Sequence, residues 1–217
     1  MTGLIVKDIL VSRRSLKAYL GIMLFYAVLT FMGVFSASFV TAFVSVMLIM
    51  LPIGAFSYDE AAKWDRYAMA LPLGRRAVVG ARYGFTLLVT LISLALALLS
   101  GVAVSVTGQG SFIEVMVTAL VTLASGLLIS DFLLPLCYKL GPERARPYLY
   151  AVIFIPVIVL FLAFRMGVRI DASWLDRLAL SSPGALLALS ALPLLTALAL
   201  MFVSWLVSCR IVAGKEY

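Results

Sequence analysis

The chain has 217 residues, of which 64% are hydrophobic and only 12% are charged. Soluble proteins carry roughly 25% charged residues, so the composition excludes a soluble domain and predicts an integral membrane protein. The formal net charge is +7 and histidine is absent, which removes the commonest metal ligand and the usual general base.

The first segment, Leu4 to Lys17, has the sequence LIVKDILVSRRSLK. Wound as a helix, it separates most of its leucine and isoleucine side chains from its charged ones. We expect an amphipathic helix over residues 1–17 that lies in the membrane interface and turns at Ser15 or Lys17 into the first span. An anchor beside the membrane and a more specific role fit this pattern equally well.

Six apolar blocks are long enough to cross a membrane, because a spanning helix needs about 20 apolar residues. The sequence therefore predicts an all-α fold, a polytopic membrane protein with one transmembrane domain over residues 1–217. The spans are predicted at approximately 18–34, 39–56, 83–106, 112–138, 148–164 and 184–209. The remaining segments are the connections 57–82, 139–147 and 165–183 and the tail 210–217.

The lysines and arginines fall on one side of such a bundle, with the exceptions of Arg165, Arg169 and Arg177. Positive residues are retained on the cytoplasmic side, so both termini and the connections 57–82 and 139–147 are predicted to be cytoplasmic. The connection between spans 5 and 6 is then extracellular. This bias and the anionic lipid head groups account for the positive charge, and we expect no nucleic-acid partner.

Residues 57–82, which we call the elbow, are the one long polar stretch between apolar blocks. Ser57 followed by Glu60 fits a capping box at a helix start, and Pro72 ends or kinks a helix. A short helix is therefore predicted from about Tyr58 to Ala70. We expect its charged side chains to be exposed around two aromatic ones. These residues are Asp59, Glu60, Lys63, Asp65 and Arg66, with Trp64 and Tyr67.

Two interpretations of the elbow remain open at this point. Its aromatic residues could lie at the level of the lipid head groups while its charges are solvated. The mixed signs favour a docking element instead, since an aromatic side chain can fill a pocket on a partner protein while charges fix the register.

Asp131 lies inside the fourth predicted span, about two turns before its cytoplasmic end. An ionisable residue at that depth is a candidate functional site. The alternative is structural: the carboxylate bonds locally, or pairs with a basic residue of a neighbouring helix, and so positions a span that is kinked at Pro135.

The connection 139–147 is short and basic, and it is interrupted by Gly141, Pro142 and Pro147. We predict a tight turn there. Its exposed residues, Glu143 and Arg144, would form a second, smaller contact for a partner.

Three stretches of the chain resemble one protein family. They are LIVKDILVSRRSLK, SYDE...WDRYAMALPLGRR...V...RY from Ser57 to Tyr83, and LLPLCYKLGPERAR from Leu133 to Arg146. The family is that of the ABC transporter type-2 permeases. The chain most resembles the small six-span permeases of bacterial exporters, including those for phenol-soluble modulins and peptide antibiotics, and the similarity extends over nearly the whole chain.

The resemblance implies that two six-span permeases pair, as identical or sister chains, and that each rests on a cytoplasmic ABC ATPase subunit. A coupling helix between spans 2 and 3 carries force from the ATPase, and it falls on Tyr58 to Leu71 here. The residues implied to face the ATPase are Tyr58, Asp59, Glu60, Lys63, Trp64, Asp65, Arg66, Tyr67 and Leu71, with Glu143 and Arg144 as the smaller contact.

The leading hypothesis is a permease subunit that exports an amphipathic substrate, a peptide or lipid-like molecule, across a bacterial cytoplasmic membrane by alternating access. Asp131 would be the rare charge in its pathway. The chain has no G-x-x-x-x-G-K-[ST] phosphate loop, so ATP and Mg²⁺ are expected on the partner ATPase. We expect no catalytic residue, metal or cofactor in this chain, and membrane lipids around it.

The alternative is an energy-independent membrane scaffold or sensor subunit that recruits a cytoplasmic regulator through the elbow. It would share these sequence features without requiring ATP hydrolysis. An intramembrane enzyme is disfavoured, because the spans contain neither histidine nor paired carboxylates at helical spacing.

Overall fold

The computed structural model describes residues 2–32, 37–64, 67–68, 74–108, 111–167 and 183–215. Within these ranges all of the regular structure is helical. The helices are α1 Thr2–Val11, α2 Arg13–Phe31, α3 Ala37–Ala61, α4 Arg75–Thr107, α5 Phe112–Leu140, α6 Pro142–Arg165 and α7 Pro183–Ala213.

Four of the described helices, α4 to α7, are long and apolar enough to cross a membrane, and each contains an 18-residue stretch with a mean hydropathy of 2.2 to 2.6. They coincide with the third to sixth predicted spans, and the chain is a multi-pass membrane protein. Helices α2 and α3 occupy the first two predicted spans, but the turn between them, residues 33–36, lies outside the described residues. The count of six spans stays a prediction.

Helix α5 is the centre of the bundle, because it packs against α3, α4, α6 and α7. The core joins Leu127 of α5 to Leu48 of α3, Phe85 of α4 and Ala197 of α7, all of them buried. By contrast, residues 154–162 of α6 are exposed on every side. In a bilayer, this half of α6 is covered by lipid or by another chain.

Helix α1 packs across the first part of α4. Ile5 lies against Gly84, where an added Cβ atom would approach Ile5 Cδ1 to 3.1 Å. A larger residue at position 84 would therefore crowd the Ile5 side chain and force it to shift. The break before α2 falls at Ser12, earlier than the expected turn at Ser15 or Lys17. The interfacial position of α1 stays a prediction.

Helix α3 continues through Ser57 and ends at Ala61, so the capping box predicted there is wrong. The Ser57 hydroxyl donates a hydrogen bond to the carbonyl of Ile53, one turn earlier, as serine does inside a helix. Lys63 then has a positive φ of 51°, which stops the helix. The helix of the second predicted span therefore continues into the elbow.

Helices α5 and α6 are joined by Gly141 alone, so the turn predicted over residues 139–147 is much shorter than expected. Gly141 has a φ of +83°, a conformation that only glycine adopts without strain. Pro142 begins α6, where its missing amide hydrogen costs nothing, and Pro147 lies inside that helix.

The described segments that were predicted to be cytoplasmic meet at one end of the bundle. Arg75, near the start of α4, donates hydrogen bonds to carbonyl groups at the end of α7. Glu60, at the end of α3, lies beside Gly141, with 3.2 Å between Glu60 Oε1 and an ideal Cβ at that glycine. We call this end of the bundle the basic end. Its location on the cytoplasmic side stays a prediction.

Arg75→Ala is expected to loosen the end of α7. Arg75 Nη1 lies 3.3, 2.9 and 3.2 Å from the carbonyl oxygens of Val212, Ala213 and Lys215, so its side chain caps the last carbonyl groups of the helix. Amide exchange at these three residues should become faster, while exchange in α5 stays unchanged. Arg76→Ala, at the exposed neighbouring position, is the control. Equal exchange in both variants would contradict this capping role.

Candidate functional site

Four charged side chains from three helices meet where the elbow joins the bundle. Lys7 and Asp8 come from α1, Asp59 from α3 and Arg82 from α4. We call them the ion cluster. Two acids and two bases leave it with no net charge, which makes burial tolerable in an apolar bundle.

Asp59 is the centre of the ion cluster. Lys7 Nζ donates to both of its carboxylate oxygens, at 2.7 and 2.8 Å, and Arg82 Nη2 donates to Oδ2. Arg82 Nη1 lies 3.2 Å from Asp8 Oδ1, close enough for an ion pair, but it is not aligned as a hydrogen bond. Arg82 therefore links α4 electrostatically to both α1 and α3.

Aromatic side chains enclose the ion cluster. Lys7 Nζ lies 4.9 Å from the centre of the Trp64 ring, and the Arg82 guanidinium carbon lies 4.5 Å from that of Phe56. Both distances are within the range of cation–π attraction. The cavity left inside has a volume of only about 20 Å³, which is too small for a substrate. The cluster therefore joins α1, α3 and α4.

Asp59 was expected to be exposed, and that expectation is wrong. The residue is only 6% exposed, because the extension of α3 points its carboxylate at α1 and α4 in place of solvent. A buried carboxylate must be paired to remain charged, and Lys7 and Arg82 supply that pairing.

The other described residues of the elbow face outward to different degrees. Tyr67 is 68% exposed and Tyr58 is 46% exposed, while Glu60 and Lys63 are also exposed. Trp64 is half-buried, and the Lys7 ammonium group lies over its ring. Asp65, Arg66 and Leu71 lie outside the described residues. Contact of any of these residues with an ATPase stays a prediction.

The two surfaces expected to contact a partner lie side by side at the basic end. Glu60 of the elbow lies against Gly141, and α6 begins at the next residue. Glu143 and Arg144, in the first turn of α6, are both exposed. The elbow and the start of α6 can therefore form one continuous surface, which the sequence presented as two separate segments.

Asp131 lies in α5, away from the ion cluster, and it is 6% exposed. Among the described residues neither of its carboxylate oxygens has a hydrogen-bond partner. The expected pairing with a basic residue of a neighbouring helix is thus not met within the described part of the chain. Arg82, the buried base, turns instead toward Asp8 and Asp59.

Lys7, Asp8 and Arg82 were not predicted from the sequence to be members of a site. One signal was available: Arg82 stands at the edge of an apolar block, where its immediate neighbours are alanine and tyrosine. Asp8 is the only acid in an otherwise basic segment. Their pairing across more than 70 residues of chain depends on how α1 packs on α4, and no local pattern encodes that packing.

A family model described as ABC-2 family transporter protein matches residues 3–213, which is nearly the whole chain. The chain belongs to the ABC-2 family of transport permeases. This permease is therefore a membrane subunit of an ABC transporter, and the family implies an ABC ATPase partner. Comparison with curated proteins and with solved structures gives no match.

Arg82→Met should destabilise the permease, because it leaves the carboxylates of Asp8 and Asp59 buried with too few partners. Breaking a buried ion pair costs about 3–5 kcal/mol, so the melting temperature of the purified protein should fall. Lys7→Met should cost less, since Lys7 is the most exposed member of the cluster.

The double variant Asp59→Asn/Arg82→Met separates pairing from simple loss of packing. It removes one charge of each sign, so it should be more stable than Arg82→Met alone. Strictly additive losses would mean that the two side chains do not interact in the folded permease.

Proposed function

We propose that this permease is the membrane subunit of an ATP-driven exporter in a bacterial cytoplasmic membrane, with both termini in the cytoplasm. Its elbow would receive force from a separate ABC ATPase, which binds ATP and Mg²⁺. The observation that carries the proposal is the ion cluster, because it anchors the inner side of the elbow and leaves Tyr58 and Tyr67 exposed on the outer side.

Exposed aromatic side chains surrounded by charges of both signs suit docking to a protein. Tyr67 is the best candidate for the anchor that fills a pocket, and Glu60, Lys63, Glu143 and Arg144 lie where charges could fix the register. Asp59 and Trp64 act from behind this surface, since they pack against Lys7. Asp65, Arg66 and Leu71, which lie outside the described residues, belong to the same proposed coupling segment.

The route for force runs from the elbow into α4. Arg82 pairs with both α1 and α3, so movement of the elbow would shift the start of α4 together with α1. Helix α4 has 33 residues and a length of roughly 50 Å at 1.5 Å per residue. A tilt imposed at the basic end would therefore reach the opposite membrane surface, as alternating access requires.

Two such permeases, identical or sister chains, would enclose the pathway for an amphipathic substrate, a peptide or lipid-like molecule. Pairing is supported by the half of α6 that no other described helix covers, residues 154–162. Its side chains are apolar throughout, so this face could pack against the second permease within the bilayer.

The test is copurification from native membranes. The tagged permease should bring down an ABC ATPase that hydrolyses ATP, and Tyr67→Ala should lower the amount recovered about tenfold, as loss of an interface anchor does. Phe25→Ala, which truncates a similarly exposed aromatic side chain on α2, is the matched control and should leave recovery unchanged.

Membrane yield of both variants shows whether insertion is intact. Recovery of a non-ATPase regulator in place of an ATPase would favour a scaffold or sensor subunit. Full ATPase recovery with Tyr67→Ala, or an equal loss with Phe25→Ala, would show that the elbow is not part of the docking surface.

A further inference from the structure

A groove with a volume of about 480 Å³ lies between α5 and α7. Its walls are mainly apolar, and they include Leu128, Phe132, Val203 and Val207. The groove also contains Asp131, and Lys139 lies toward the basic end. This volume is within the range of small-molecule binding sites, so the groove is large enough to hold an apolar body.

The carboxylate of Asp131 is the unusual feature of this groove. It is buried, and neither oxygen has a hydrogen-bond partner among the described residues. A carboxylate in that condition is strongly disfavoured inside a membrane unless something supplies a compensating charge. A bound cation would satisfy it.

Neighbouring hydroxyl groups do not satisfy the Asp131 carboxylate, because each of their hydrogens is already committed. Ser204 Oγ donates to the backbone carbonyl of Asp131 at 2.5 Å. Tyr83, whose hydroxyl lies 2.6 Å from Ser204 Oγ, must then donate to Ser204. Ser208, at 2.8 Å, must donate to Tyr83, since a hydroxyl has a single hydrogen.

This hydroxyl chain also fixes the groove. It ties α7 to both α4 and α5 through buried side chains. The backbone around Asp131 is thus held in place before any ligand enters, while the carboxylate, whose two oxygens are covered, must turn into the groove to meet a cation.

The described spans of a second permease do not offer the missing charge. In α4 to α7, lysine and arginine lie near the helix ends, with the exception of Arg82. Arg82 is already paired with Asp8 and Asp59. Within these four spans, a second permease would therefore bring no free cation to the depth of Asp131.

A phospholipid head group fits poorly as well. Asp131 lies eight residues before Lys139, which places it roughly 12 Å deeper along the helix axis. The amine of a phospholipid lies at the membrane surface, outside its phosphate. A cation that reaches Asp131 must be attached to a body that enters the hydrocarbon region.

We propose that the groove between α5 and α7 binds the transported substrate, and that this substrate is an amphiphile with a protonated amine that pairs with Asp131. The proposal rests on the function proposed above and gives the amphipathic substrate a positive charge. The apolar body lies along Leu128, Phe132 and Val203, while Lys139 disfavours a second cation at the groove end.

The test uses the full-length permease in nanodiscs without any ATPase, with tritiated dodecylamine as the probe in a scintillation proximity assay. Binding should be saturable after subtraction of empty nanodiscs. Unlabelled dodecylamine should displace the probe at least about tenfold better than dodecanol, which has the same chain without the charge.

Asp131→Asn should lower dodecylamine affinity at least about tenfold and abolish its advantage over dodecanol. Asp131→Glu should retain that advantage. Glu114→Gln is the matched control, because it neutralises an exposed acid in the first turn of the same helix. Loss of binding in this control, or unchanged binding in Asp131→Asn, would overturn the proposal.

Two groove-filling variants keep the test decisive if Asp131→Asn fails to fold. Val203→Trp fills the groove at an exposed position and should block the probe. Leu87→Trp fills a second groove between α4 and α7, with a volume of about 430 Å³ and no acidic residue in its lining, and should leave binding intact. If Leu87→Trp blocks the probe and Val203→Trp does not, the probe binds in that second groove and the assignment is wrong.

Phosphatidylethanolamine in the nanodisc gives the remaining comparison. If it displaces dodecylamine as well as free dodecylamine does, the groove holds lipid and the proposal is wrong. If the groove does not bind dodecylamine, the result of the ATPase copurification is unaffected. If the elbow does not bind an ATPase, dodecylamine binding is unaffected. The two proposals can therefore be refuted separately.

Discussion

Arg82 places a full positive charge at a buried position in an apolar bundle, and the packing of α1, α3 and α4 depends on how that charge is neutralised. Asp59 and Asp8 supply the neutralising charges from different helices. Lys7 balances the second acid. The pairing forces α1 against α4 and forces α3 to extend into the elbow, because either acid left alone would be buried without compensation.

The same constraint separates the two faces of the elbow. Its inner face consists of groups that hold α3, α1 and α4 together, and its outer face carries exposed tyrosines and charges. A force applied to the outer face can then move three helices as one unit. A loosely attached polar loop of the same composition would absorb the movement through its own flexibility.

Asp59 and Asp131 are both buried near the same end of the bundle, but they differ in whether a basic side chain pairs with them. Asp59 has two basic partners, whereas Asp131 has none among the described residues. The Ser204 hydroxyl donates to the backbone carbonyl of Asp131 and not to its carboxylate. This contrast is why we assign Asp59 to structure and Asp131 to binding, even though the sequence presented Asp59 as the exposed acid.

The sequence by itself determined the membrane class, the positions of the four long apolar helices and the family, because these follow from composition, from block length and from motifs read along the chain. It did not determine that Ser57 lies inside a helix, that Gly141 alone joins α5 to α6, or that Asp59 pairs with Lys7 and Arg82. Only the tertiary structure decided these features. The reason is physical: pairing of charges and burial of Asp131 depend on which helix faces meet, and residues far apart in the chain set those contacts.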